Sequence, residues 1–203
     1  MEGKNLSGLD LAGVNFNGIN MKSVNLSRAD LSGANFRNAD LSKANLEGAI
    51  LVGTNFTYAD LTKANLSGAS LVDANFLGAD LEEAHLVGAD LSGADLSEVT
   101  LVGADLSGAQ LIGTEMERAD LTGANLKDAN LTDTNLLEAD LTRADLTGAA
   151  FVNANITGAK LIEAELTGTR FQATDWTDAF CARELGFTRC REYYLEFKGA
   201  QVR

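Results

Sequence analysis

The chain has 203 residues, no proline, two cysteines and a formal net charge of −13 at pH 7. A body this acidic disfavours general nucleic-acid binding; it prefers a basic partner or imitates a polyanion. Two cysteines do not make a disulfide scaffold, and no apolar run approaches the roughly 20 residues of a membrane span.

The N-terminus, Met1-Glu2-Gly3-Lys4, enters a repeat almost at once. It reads as having no signal peptide, so a cytoplasmic location is the expectation. From Leu6 to Trp176 every fifth residue is large and apolar, 35 consecutive positions without a slip. A period of five is neither the 3.6 of an amphipathic helix nor the 2 of a half-buried strand. Held this long, it marks a repeat architecture. Two residues before each of these centres sits a small residue, Ala in 24 of the 35 units. The residue just before the centre is usually Asn or Asp, and the two after it are mostly small or polar, often ending in Gly.

Two inward residues in five require a chain that turns after every unit. Four turns close a square coil of 20 residues, and stacked coils can pair their backbones at about 4.8 Å, which satisfies the buried polar groups. Of the 20 glycines, 18 fall two residues after a centre position, where a type II turn needs positive φ. Lys43, Lys63, Glu98 and Arg143 occupy the same slot, so positive φ is expected to be favoured there without being compulsory. Phe16, Phe36, Phe56 and Phe76 recur at 20. Four sides predict that spacing; three would want 15.

These units resemble the pentapeptide repeat family, whose pattern is Ala-(Asp/Asn)-Leu-x-x. The resemblance covers about residues 4–179. It implies an all-β fold, a right-handed quadrilateral parallel β-helix or solenoid. The length then gives about 8.75 coils and a rod roughly 42 Å long. Residues 1–179 read as the β-helix. Leu9, Val14, Ile19 and Val24 are larger than the usual Ala and read as a wide apolar first coil that plugs the open end.

From Thr177 the register is expected to stop. Residues 178–186 read as a short helix ended by Gly186, and Thr188 as the cap of a second helix with Phe187, Cys190, Tyr194 and Phe197 on one side. Residues 180–203 thus read as a short α-helical cap or dimerisation segment. Family members that act on DNA gyrase are similar in dimerising through a C-terminal segment. Cys181 and Cys190 fall outside the expected repeat. They read as buried free thiols, with a bridge or a reactive thiol as the alternative.

No catalytic constellation, phosphate-binding loop or Cys/His metal cluster stands out, so no enzyme activity, metal or cofactor is expected. His85 is the single histidine and takes an outward slot. Asp40, Asp60 and Asp80 precede centres 20 apart, as do Asp120 and Asp140, and four sides align them into an acidic ladder interrupted at Thr100. With Glu82 and Glu83 they form a candidate acidic interaction surface. Lys43, Lys63 and Arg143, three residues on, are expected to relieve its repulsion. No single face holds the charge. Along the axis, residues 1–80 carry eight acids and six bases, and residues 81–175 carry 17 acids and five bases. A second candidate is an apolar strip of Val52, Val72, Ile112 and Val152.

The first functional expectation is a non-enzymatic protein-binding or scaffolding rod with an unidentified protein partner. The alternative, implied by the resemblance, is a DNA mimic that binds DNA gyrase or another topoisomerase and protects it from quinolone-type inhibitors. Neither binds nucleic acid or membrane directly, and a homodimer through the C-terminal segment accompanies the second. Ice binding would want a regular Thr array; the outward column from Lys22 to Ile162 is too mixed.

Overall fold

The structure, a computed structural model, describes residues 1–183 and 186–189. Each residue ahead of a centre pairs in parallel with the residue 20 positions on, from Asn5 with Asn25 to Lys160 with Phe180. The coil is therefore a 20-residue square built from four five-residue sides. Three hydrogen bonds per side tie neighbouring coils. In one coil the N–H of Leu26 donates to Asn45 (2.7 Å), that of Arg28 to Glu47 (2.9 Å), and that of Asn45 to Val24 (2.8 Å).

The centres and small residues fill the interior. Leu, Met and Phe centres from Met21 to Ile156 are fully buried, with the intervening alanines beside them. The Phe column stacks as the 20-residue spacing requires, with ring centroids 4.8, 5.3 and 4.8 Å apart from Phe16 to Phe76. Where Thr replaces Ala at the small position, the hydroxyl finds a carbonyl: Thr54 donates to Leu31, Thr134 to Leu111 and Thr169 to Leu146. Among the described residues, no buried side-chain polar atom is left without a partner.

Positive φ is compulsory at the corners, contrary to the expectation. Every residue two after a centre, from Gly3 to Asp178, has φ between 52° and 74°, and half of them are not glycine. At most corners the N–H of the following small residue closes on the carbonyl of the centre, as from Ala29 to Leu26 at 3.1 Å. The square cross-section sets the turn geometry, and local preference has to yield to it.

The first coil does not plug its end. Leu9 is 46% and Val14 36% exposed, while Ala29 and Ala34, one coil further in, are fully buried, as is Val24, which already has a coil on each side. An inward position is covered only if a coil lies on each side, and the first coil has a neighbour on one side alone.

The C-terminal reading also needs correcting. The register runs one unit beyond Trp176: Ala179 and Cys181 are buried, and Phe180 pairs with Lys160. Cys181 thus holds a centre position. It is disulfide-bonded, so the free-thiol reading fails. The expected helix at 178–186 is absent. The named strands are β1 (Ala150–Val152), β2 (Arg170–Gln172), β3 (Phe180–Arg183) and β4 (Gly186–Arg189). Strands β1 and β2 pair in parallel within the rod, whereas β3 and β4 form an antiparallel hairpin. Phe187 lies in β4. Cys190, Tyr194 and Phe197 lie outside the described residues, as does most of the second expected helix.

Candidate functional site

The residue ahead of each centre decides the outer surface. All 25 Asn and Asp residues in that slot, from Asn5 to Asp175, accept the N–H of the residue two positions on through Oδ1, at 2.9–3.3 Å. The short polar side chain closes a local turn on its own backbone and supplies an acceptor just before the strained corner. Where Ser or Thr follows, its hydroxyl often donates to the same oxygen, as Ser42 does to Asp40 (2.6 Å) and Thr122 to Asp120 (2.6 Å).

The acidic ladder is real, and part of it is structural. Asp40, Asp60 and Asp80 stack on successive coils, as do Asp120 and Asp140, with Thr100 between the two runs. One oxygen of each is committed to its turn. The Ser42 hydroxyl, then its N–H and Lys22, hold the Asp40 carboxyl below the usual range against the effect of burial. Burial acts to raise Asp140, but the Thr142 hydroxyl and the Lys160 ammonium outweigh it and lower the carboxyl.

The relief of repulsion comes from different bases than expected. Lys160 meets Asp140 at 3.0 Å, whereas Lys63 reaches Glu83 at 3.1 Å and Arg143 reaches Glu163 at 2.6 Å, each one coil on. Glu82 and Glu83 are exposed. In the half from residue 81 to 175, Arg118, Lys127, Arg143 and Lys160 are all in ion pairs, so Arg170 is the one base there without an ion pair among the described residues. Seventeen acids against five bases over about 23 Å of rod give one net negative charge per roughly 1.9 Å, close to the ~1.7 Å of B-DNA. Residues 1–80 give only about one per 10 Å.

The apolar strip has a cause that residue spacing alone did not reveal. Seven Val or Ile residues follow a centre directly: Val52, Val72, Val87, Val102, Ile112, Val152 and Ile162. The residues two before them are Ile50, Ser70, His85, Thr100, Gln110, Ala150 and Lys160, and none is Asn or Asp. Of the ten units without Asn or Asp ahead of the centre, these seven put a stiff β-branched Val or Ile where the side-chain acceptor is missing; Glu117, Thr167 and Gln172 stand in the other three.

Val52, Val72, Ile112 and Val152 share the face of Leu51. Ile50, Val52 and Ile112 are exposed there, and Val72 and Val152 are half-buried. At the C-terminal end of this face, Gln110, Asn130, Ala150, Val152, Arg170 and Gln172 line a shallow depression of about 330 Å³. His85 is exposed between Asn65 and Asp105 of the adjacent coils. Among the described residues no His, Cys, Asp or Glu group is arranged to hold a metal ion, and no helix is long and apolar enough to cross a membrane.

A family model described as "Pentapeptide repeats (8 copies)" matches overlapping stretches that together run from residue 5 to 178. The crystal structure of HetL, a pentapeptide repeat protein involved in heterocyst differentiation regulation from the cyanobacterium Nostoc sp. strain PCC 7120, is similar with a TM-score of 0.75. It is 31% identical, with 88% of this chain and 90% of that one covered. A trypsin-treated form of QnrB1, a plasmid-mediated fluoroquinolone resistance protein, shares the fold with a TM-score of 0.61. Its identity is 19%, over 100% of this chain and 97% of that one. No curated protein matches the chain by sequence.

Proposed function

The chain belongs to the pentapeptide repeat family, whose members fold as right-handed quadrilateral β-helices, and from that premise we propose that it is a non-enzymatic protein-binding or scaffolding rod. One observation carries this reading. The recurring Leu, Ala, Asn, Asp and Gly residues are all used in building coils and corners, and half of the units that depart from Asn or Asp ahead of the centre fall on the Leu51 face, where Ile50, Val52, Val72 and Ile112 make an apolar strip. A regular solenoid presents such a surface on a rigid frame at little entropic cost on binding. The test is a photo-crosslinking residue placed at Val52, and at Ser27 as a control, in the full chain exposed to an extract of the source organism. The reading expects a discrete adduct from Val52 and none from Ser27. Adducts from neither position, or equally from both, would count against it.

A second reading, DNA mimicry toward gyrase, is favoured by the linear charge density of the half from residue 81 to 175. A cylinder with about one negative charge per 1.9 Å can be steered into a basic DNA channel. The sparse N-terminal half weighs against it. QnrB1, a fluoroquinolone resistance protein, supports this reading only through the shared fold. A gyrase supercoiling assay with and without a quinolone decides: neither inhibition nor protection at micromolar protein would remove it. The accompanying homodimer is lost if the full chain sediments at monomer mass.

A further inference from the structure

We propose that the Leu51 face, from Val52 to Ile112, docks an extended segment of a partner protein in which apolar residues alternate with Lys or Arg. This rests on the protein-binding reading above and specifies the chemistry of the partner. Three independent properties of the face converge on it.

The first is an open set of donors. Among the described residues the N–H groups of Val52, Val72 and Ile112 have no acceptor, because Ile50, Ser70 and Gln110 stand where Asn or Asp would supply Oδ1. On the same face the N–H groups of Ser32, Ser92 and Thr132 are closed off by Asp30, Asp90 and Asn130. The open donors lie where those side-chain oxygens sit, at the outer surface. A main-chain carbonyl of a docked segment is the acceptor that fits.

The second is access. Four successive corners along one edge of the face, Gly48, Gly68, Gly88 and Gly108, carry no side chain, and neither do Gly53, Gly93 and Gly113 along the other, with Asp73 between them. At Gly53, Gly68, Gly88, Gly108 and Gly113 an added Cβ would meet nothing within 4 Å. The strip is thus a flat shelf with low edges, which a polypeptide backbone can approach closely. Val52 and Ile112 are three coils apart, about 14 Å, the length of four to five extended residues.

The third is charge. On the coil that carries Asp30, Arg28 stands at the corner against Gly48 and offsets that charge; from residue 48 to 113 the face and its edges hold Asp73 and Asp90 and no base. Apolar side chains of the segment would rest on Ile50, Val52, Val72 and Ile112, while its long cationic side chains would reach over the edge of the shelf to Asp73 and Asp90.

The experiment titrates the ¹⁵N-labelled full chain with the synthetic peptide Lys-Val-Lys-Val-Lys, with the same peptide carrying Glu for Lys, and with pentalysine. The amide protons of Val52, Val72 and Ile112 are expected to shift downfield on one saturation curve with the first peptide only. Ser70→Asn and Gln110→Asn leave the net charge and both apolar side chains in place, but restore the acceptor that sequesters each N–H. Each is expected to weaken binding about threefold, the fold-change of one net hydrogen bond. Equal shifts with pentalysine, shifts confined to the Asp120–Asp140 column, or unchanged affinity in both variants would each overturn the proposal. So would no shift at all; if Val52 still crosslinks a protein partner in that case, the binding-rod reading stands and only the basic-segment inference falls.

Discussion

Replacing Asp60 by Asn and by Ala separates the two jobs of the acidic ladder. Asp60 lies between Asp40 and Asp80 on adjacent coils, and accepts both the N–H of Thr62 (2.9 Å) and its hydroxyl. At 4.8 Å each neighbouring charge repels by about 0.9 kcal/mol in water, and by about 0.5 kcal/mol at physiological ionic strength. Removing the charge therefore gains about 1 kcal/mol, and weakening two hydrogen bonds to a charged acceptor costs about as much. Asp60→Asn should leave stability within about 0.5 kcal/mol of the parent on this balance. Asp60→Ala sheds the same charge and also the acceptor, which lies one side chain from the strained Lys63 corner (φ 59°). By analogy with losing a helix cap, the Ala variant should be about 1–2 kcal/mol less stable than the Asn variant. Because neither variant is charged, their difference isolates the acceptor. Urea denaturation followed by far-UV circular dichroism measures it. Equal stability of the two variants would refute the turn-closing role. If the reasoning holds, Asp→Asn changes at Asp120 and Asp140 are the means of discharging the rod for the gyrase assay without loosening it.

Leu86 is fully buried, so Leu86→Asp should cost at least about 4 kcal/mol and lower the thermal midpoint by roughly 10 °C; an unchanged midpoint would contradict its inward position. Gly88→Ala has open space around the new methyl but keeps φ at 63°, so it should cost about 1–2 kcal/mol from backbone strain alone, measured by urea midpoint; no loss would mean that the corner can relax to another turn. Asp40 and Asp140 have lowered carboxyl pKa values. Their contribution is therefore fully present above the ordinary carboxylate value of about 3.9 and is lost as pH falls through the lowered folded values. The urea midpoint should drop below about pH 4, and the drop should shrink in Asp40→Asn/Asp140→Asn; a midpoint that rises on acidification would show that relief of net repulsion dominates instead.

The path of the coil was legible in the residues because its causes are local and repeated. One apolar and one small residue in five dictate two inward positions, and the Phe spacing of 20 selects four sides. The ladder from Asp40 to Asp140 followed from the same count. The 25 side-chain-closed turns could have been read as well, since every Val or Ile after a centre follows a residue other than Asn or Asp. That signal is a correlation between two outward slots, and a search for inward periodicity passes over it.

The ends and corners were decided elsewhere. Glu98 or Lys63 carries no local instruction for positive φ; the pairing of the coils on either side imposes it. Leu9 and Val14 are as apolar as any core residue, yet they are exposed because burial depends on a neighbouring coil. Residues 180–189 have helical spacing of apolar residues, and Phe180 nevertheless pairs with Lys160 because the last coil offers an open edge that a strand can fill. The five-residue pattern by itself determined the four-sided rod, the identity of its core and the spacing of its acids, since each unit repeats one local demand. Stacking alone decided that every corner takes positive φ and which bases neutralise which acids, since those depend on residues about 20 positions apart meeting across coils.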